Sequence, residues 1–84
     1  MENTIHEPVS VITSFNHETR TVFPRKLRWR NREYLIQKIA YHHTVRQGRL
    51  LYHIFHVTDG TLDFRLILNT ETLHWILEDL VSVG

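Results

Sequence analysis

"LYHIFHVTDGTLDFRLIL", residues 51–68, decides how this 84-residue chain folds. Apolar and polar residues alternate on both sides of Asp59-Gly60, the period-2 pattern of strands with one buried face. Asp-Gly is a strong hairpin signal, because a type I′ turn needs positive φ at both central residues. With Asp59-Gly60 at the centre, Val57 faces Leu62, Phe55 faces Phe64, His53 faces Leu66 and Leu51 faces Leu68. Four matched pairs on one face predict an antiparallel hairpin.

The same reading extends upstream. In "KLRWRNREYLI", residues 26–36, Leu27 and Trp29 share one face and Lys26, Arg28 and Arg30 the other. A two-residue turn at Asn31-Arg32 sets Trp29 against Tyr34 and Leu27 against Ile36. Ile39 then falls out of phase with Ile36, which predicts a bulge near Gln37–Lys38. "PVSVITSF", residues 8–15, reads as a first strand. Pro24 lacks a backbone donor and belongs at an edge or a strand entry. Gln47-Gly48 is the turn before the central hairpin. Residues 1–6 read as a disordered terminus, and the chain as a single domain over 1–84.

The tail "NTETLHWILEDLVSVG", residues 69–84, supports two readings. Leu73, Ile76, Leu77, Leu80 and Val81 form an i, i+3, i+4 stripe, which predicts a helix over about 71–82. As a strand, Leu73, Trp75 and Leu77 share a face.

The series Pro24, Leu27-x-Trp29, Tyr34-x-Ile36, then a glycine turn, an aromatic-rich strand and "LDFRLILNTETLHWIL" resembles a family of small bacterial domains of unknown function. That family has a Trp-x-x-x-x-Tyr-x-Ile/Val hairpin and a C-terminal Thr…Trp-x-Leu strand. The resemblance spans roughly residues 24–80. It implies an antiparallel β-fold and makes residues 72–78 a strand. It implies no reaction. The chain departs from the pattern at Asn31 and Glu33, where glycine-rich turns are usual, and in its extra N-terminal strand.

The expected architecture is therefore all-β, a five- or six-stranded antiparallel curled sheet or small open barrel. The alternative is an α+β fold with the C-terminal helix.

Composition narrows the function. The chain has no cysteine, which excludes disulfides, thiol catalysis and cysteine-ligated zinc. It shows no leader peptide and no apolar run of about 20 residues that would span a bilayer, so a cytoplasmic protein is expected. Ser10, Ser14 and Ser82 have no neighbouring base, and no carboxylate pair suits acid–base work. No catalytic residue and no cofactor is assigned.

Net charge is +1 but segregated: −3 over residues 1–19, +8 over 20–49 and −4 over 50–84. Arg25, Lys26, Arg28, Arg30 and Arg32, with Trp29 and Tyr34 interleaved, could track a phosphate backbone. The pleat, however, sets the aromatics opposite the cations, so a solvated face is the simpler reading. Among seven histidines, His42 and His53 meet across the Gln47-Gly48 turn and could share a metal ion, with Asp63 or Asp59 as a third ligand. Histidines that hydrogen-bond or face water are the simpler account. Tyr52, Ile54 and Ile67 lie opposite the core face of the central hairpin, and an exposed apolar cluster there marks a contact surface.

The leading expectation is a non-catalytic interaction module that self-associates as a homodimer through Tyr52, Ile54 and Ile67, or binds another protein. Nucleic-acid binding through residues 25–32 is the alternative, and metal binding through His42 and His53 comes third.

Overall fold

The computed structural model describes the backbone of residues 2–82 and the side chains of residues 5–81. Its strands are β1 (Glu2–Asn16), β2 (Thr21–Trp29), β3 (Arg32–Leu35), β4 (Lys38–Gln47), β5 (Leu50–Thr58), β6 (Leu62–Asn69) and β7 (Trp75–Ser82). They form one antiparallel sheet in the order β3-β2-β1-β7-β6-β5-β4, curled into a half-barrel. The fold is all-β, as expected, but with seven strands rather than five or six.

The additional strand arises where a single extended run changes partners. β3 and β4 point the same way and are separated only by Ile36 and Gln37. The Ile36 N–H donates to the Arg25 carbonyl on β2 (2.9 Å), and the Gln37 N–H donates to the Thr58 carbonyl on β5 (2.8 Å). The chain thus steps from one edge of the sheet to the other. The strands follow one another around a ring that is open only along the β3/β4 seam. The β3 ladder reaches no farther along β2 than Lys26, and beyond the Ile36–Arg25 hydrogen bond residues 21–24, including Pro24, have no partner on that side among the described residues.

The hairpins form where expected, but each register differs by two residues. Val57 pairs with Phe64, Phe55 with Leu66 and His53 with Leu68. The turn centres on Gly60-Thr61, and only Gly60 has positive φ (99°). Asp59 flanks it, its Oδ1 accepting from the Thr61 and Leu62 amides, both at 2.8 Å. The carboxylate satisfies the turn's own donors, which a central position would not allow. Likewise Trp29 pairs with Arg32 and Leu27 with Tyr34, because Arg30 and Asn31 take the two positive-φ positions at 51° and 62°. Gln47 pairs with Leu50, so Gly48-Arg49 forms the third turn. A slip of two keeps every side chain on its face, which is why the core survives the change.

The C-terminal helix is not formed, since Trp75–Ser82 is strand β7. Leu77 pairs with Leu66 and Leu80 with Phe64, both inward, and the register shift between them lies at Glu78. A bulge inverts the alternation, so inward residues fall three apart and mimic helical spacing. The same device sets Pro24 and Leu27 both in the interior, with Arg25 between them. It also accounts for Ile39 and His42, with the shift at Ala40 rather than at Gln37–Lys38. Residues 2–6, expected to be disordered, belong to β1, and Met1 lies outside the described residues.

Leu27, Phe55, Val57, Phe64, Leu66 and Leu77 fill the interior. Tyr34 on β3 packs against Phe64 on β6 with ring centroids 5.2 Å apart, closing the core across the curl. No helix among the described residues is long and apolar enough to cross a membrane.

Candidate functional site

His42 and His53 both point to the inner side of the sheet. His42 pairs with Phe55 and His53 with Thr44, so the two imidazoles are diagonal neighbours rather than direct partners. They still meet: His42 Nε2 lies 2.8 Å from His53 Nδ1. The His42 ring stacks on Phe55 at 4.3 Å and lies within 8° of the His53 plane. Burial, then the neighbouring His53 and His43, hold His42 below the usual histidine pKa. In this contact one nitrogen donates and the other accepts, since two N–H donors cannot share one hydrogen bond.

The proposed third metal ligands are elsewhere. Asp63 pairs with Thr58 at the far end of the β5–β6 ladder, and Asp59 is engaged in its turn. Among the described residues no three His, Asp or Glu side chains are gathered to hold a metal ion.

The outer side of β4–β5 carries a second histidine group that the sequence reading missed. Tyr41, His43 and His56 have ring centroids 5.0–5.9 Å apart. Arg65 lies on the same side, its Nε 3.2 Å from Glu78 and its Nη1 3.8 Å from Asp79. Burial, followed by the charges of Arg65 and His43, lowers the His56 pKa, and Asp79 opposes that shift. The adjacent His42-His43 dipeptide was the available signal, since neighbouring strand residues face opposite ways.

The basic segment is partly engaged within the fold. Arg25 Nε donates to Ser14 Oγ (2.9 Å), and Lys26 pairs with Glu33 (2.8 Å). Arg30 pairs with Glu7 (2.8 Å), and its guanidinium sits 4.6 Å above the Trp29 ring. Trp29 Nε1 donates to the same carboxylate at 3.0 Å. Arg32 lies 5.8 Å from the centre of Tyr34. The hydrogen bond from Arg30, then that from Trp29, lowers the Glu7 pKa, and the Lys26 hydrogen bond lowers that of Glu33. Arg28 is exposed beside Glu33. Trp29 and Tyr34 pack against the core, as the pleat predicts, but Arg30 and Arg32 are not separated from them, and the β2–β3 turn folds Arg30 back over Trp29.

Tyr52, Ile54 and Ile67 do lie opposite the core face, with Ile54 paired to Ile67. They are not an exposed cluster: Ile54 is only 6% exposed, and the other two are half-buried. The large exposed apolar residues are Ile12, Phe15, Leu35, Tyr41 and Leu73. Ile12 and Leu35 flank Lys26 in one cross-strand row.

Compared with known family models, curated proteins and solved structures, the chain matches none.

Proposed function

We propose that the chain is a non-catalytic interaction module that adds an extended, acidic segment of a partner protein to the free edge of β4. The observation that carries this reading is β4 itself, a ten-residue strand at the end of the sheet, paired among the described residues on one side only. Exposed edges of this kind template pairing with another chain unless they are blunted. Lys38 and the bulge at Ala40 blunt its start, whereas the register from Tyr41 to Gln47 is unbroken. In strand addition the main chain supplies affinity and alternate side chains supply specificity. β4 offers Lys38, His42, His43 and Arg46 and no acid, so a segment bearing carboxylates is the complementary occupant.

A second copy is a poorer occupant of that edge, because β4 carries cations and imidazoles but no acid, so pairing two β4 strands brings like charges together with none to offset them. Self-association through Tyr52, Ile54 and Ile67 has little left to bury at Ile54.

The test is a fluorescent ten-residue peptide alternating valine with glutamate, titrated by polarisation, with a valine–lysine peptide as control. Saturable binding of the acidic peptide alone, protection of β4 amides from exchange, and weakening by Arg46→Glu support the reading. Equal binding of both peptides, or none, removes it. A dimer in sedimentation equilibrium that excludes the peptide assigns the edge to a second copy. Binding of a single-stranded oligonucleotide that is lost in Arg28→Glu, with β4 amides unchanged, moves the reading to nucleic acid.

A further inference from the structure

The inner side chains of β4 and β5 also line a cavity of about 220 Å³ at one end of the half-barrel. Phe55 and Leu68 form its apolar floor, with Val22 and Leu73 at its sides. Its ionisable groups are Arg20, His42 and His53, and among the described residues no carboxylate lines it. We infer that this cavity is a binding site for a small apolar carboxylate, a single aromatic ring or branched chain bearing one acid group.

Three features converge on that chemistry. The volume falls below the range of about 300–1,000 Å³ typical of drug-sized ligands, which limits the occupant to roughly one ring. The lining combines the buried apolar side chains of Phe55 and Leu68 with one cationic and two cationisable groups, the combination an amphiphilic anion requires. The third feature is the hydrogen bond between His42 Nε2 and His53 Nδ1. In the neutral pair one proton lies between the rings, leaving a single outward N–H and a single outward acceptor. One added proton converts the acceptor and turns both outward nitrogens into donors. A bound anion offsets the desolvation of that charge and so favours the protonated pair, with its two outward donors.

Binding of the acid is consequently coupled to proton uptake. The groups that act on His42 are His53 and His43, both cationisable. Arg20 is the one further charge in the lining; β5 and β6 present Phe55 and Leu68, and the β6–β7 loop presents Thr70 and Leu73, none of which titrates in this range. Without a ligand these cations oppose protonation, and the bound carboxylate reverses that balance. This site uses the inward side chains of β4, whereas strand addition uses its backbone edge, so the two are testable apart.

Benzoate and its neutral isostere benzamide are the probes, titrated into the whole chain at pH 6, 7 and 8 and followed by histidine and methyl NMR. Benzoate is expected to shift His42, His53, Val22 and Leu68 resonances saturably, at least tenfold more tightly than benzamide. Its affinity should fall by up to about tenfold per pH unit, the limit for uptake of one proton. Arg20→Asn should weaken benzoate and leave the fold intact, because Arg20 is exposed at φ 56°, a conformation asparagine tolerates. His53→Gln should flatten the pH dependence. Equal binding of the two probes, affinity independent of pH, or shifts that do not saturate would overturn the inference.

Discussion

Phe55 and Phe15 occupy comparable places in their hairpins, each on the inward side of a strand, yet Phe55 is 0% exposed and Phe15 64%. The β5–β6 hairpin is flanked by β4 and β7, and its inward residues meet Leu77 on β7 and, from across the curl, Leu27 and Tyr34. At the far end of the β1–β2 hairpin Val22 faces the cavity shared with His42 and His53, whereas its partner Phe15 stays exposed. Alternation makes a face, and only a facing element buries it.

The largest effect expected from this contrast concerns those two rings. Phe55→Ala should cost about 3–5 kcal/mol in urea denaturation, through lost transfer energy and a cavity. Phe15→Ala should stay within about 1 kcal/mol, as for surface positions. Similar losses at both sites would mean that the seam is closed in solution.

The turns of the two regions should differ in the same sense, by less. Gly60→Val places a β-branched residue at φ 99° and a Cβ 2.9 Å from Gln37 Oε1, the residue joining β3 to β4. A loss of about 1–2 kcal/mol or more is expected from the backbone conformation alone. In the β2–β3 turn Asn31→Gly, at φ 62°, should be neutral or stabilising by roughly a few tenths of a kcal/mol. Unchanged stability of Gly60→Val would show that positive φ is not required at that turn.

The smallest effects concern pH and fall in two windows. His42 and His56, on β4 and β5, are held below the ordinary value of 6.5. The unfolded chain therefore binds these protons more readily. Their contribution is fully present above about pH 6.5 and is lost as pH falls toward the lower folded values. Glu7 and Glu33, in the β1–β3 region, are held below 4.5, so their contribution persists to about that pH and is lost on further acidification. Urea midpoints measured against pH should show two steps. His42→Gln should reduce the upper one and Glu7→Gln the lower. A single step that neither variant alters would contradict the assignment.

Much of the fold was legible in the residues. The alternation of Val57, Phe55 and His53 against the β6 apolar residues fixed the sheet's inner face, and glycine or asparagine marked each hairpin turn. The contact between His42 and His53 was legible too, because a two-residue slip leaves both on the same side and within a diagonal step. Bulges hid the rest. Leu77 and Leu80 read as a helix because the extra residue at Glu78 carries no signature of its own. Burial of Ile54 was illegible for a different reason: its outer-face neighbours, His43 on β4 and Ile67 on β6, come from other strands, and the pattern of one strand cannot report how closely they pack.

By itself the sequence determined the class of fold, the turn sites and the side-chain faces of the β2–β3 and β5–β6 hairpins, which carry no bulge, because side-chain alternation has a period of two. That same period made it blind to slips of two, since every such register buries the same residues. The tertiary structure decided among them through turn chemistry: Asp59 capping its own turn, and Arg30 and Asn31 accepting positive φ. It also decided where the sheet stays open. β3 and β4 are neighbours in the chain and opposite edges in space, and only the curl of the whole sheet brings an unpaired β4, the histidine pair and the cavity beside it to one seam.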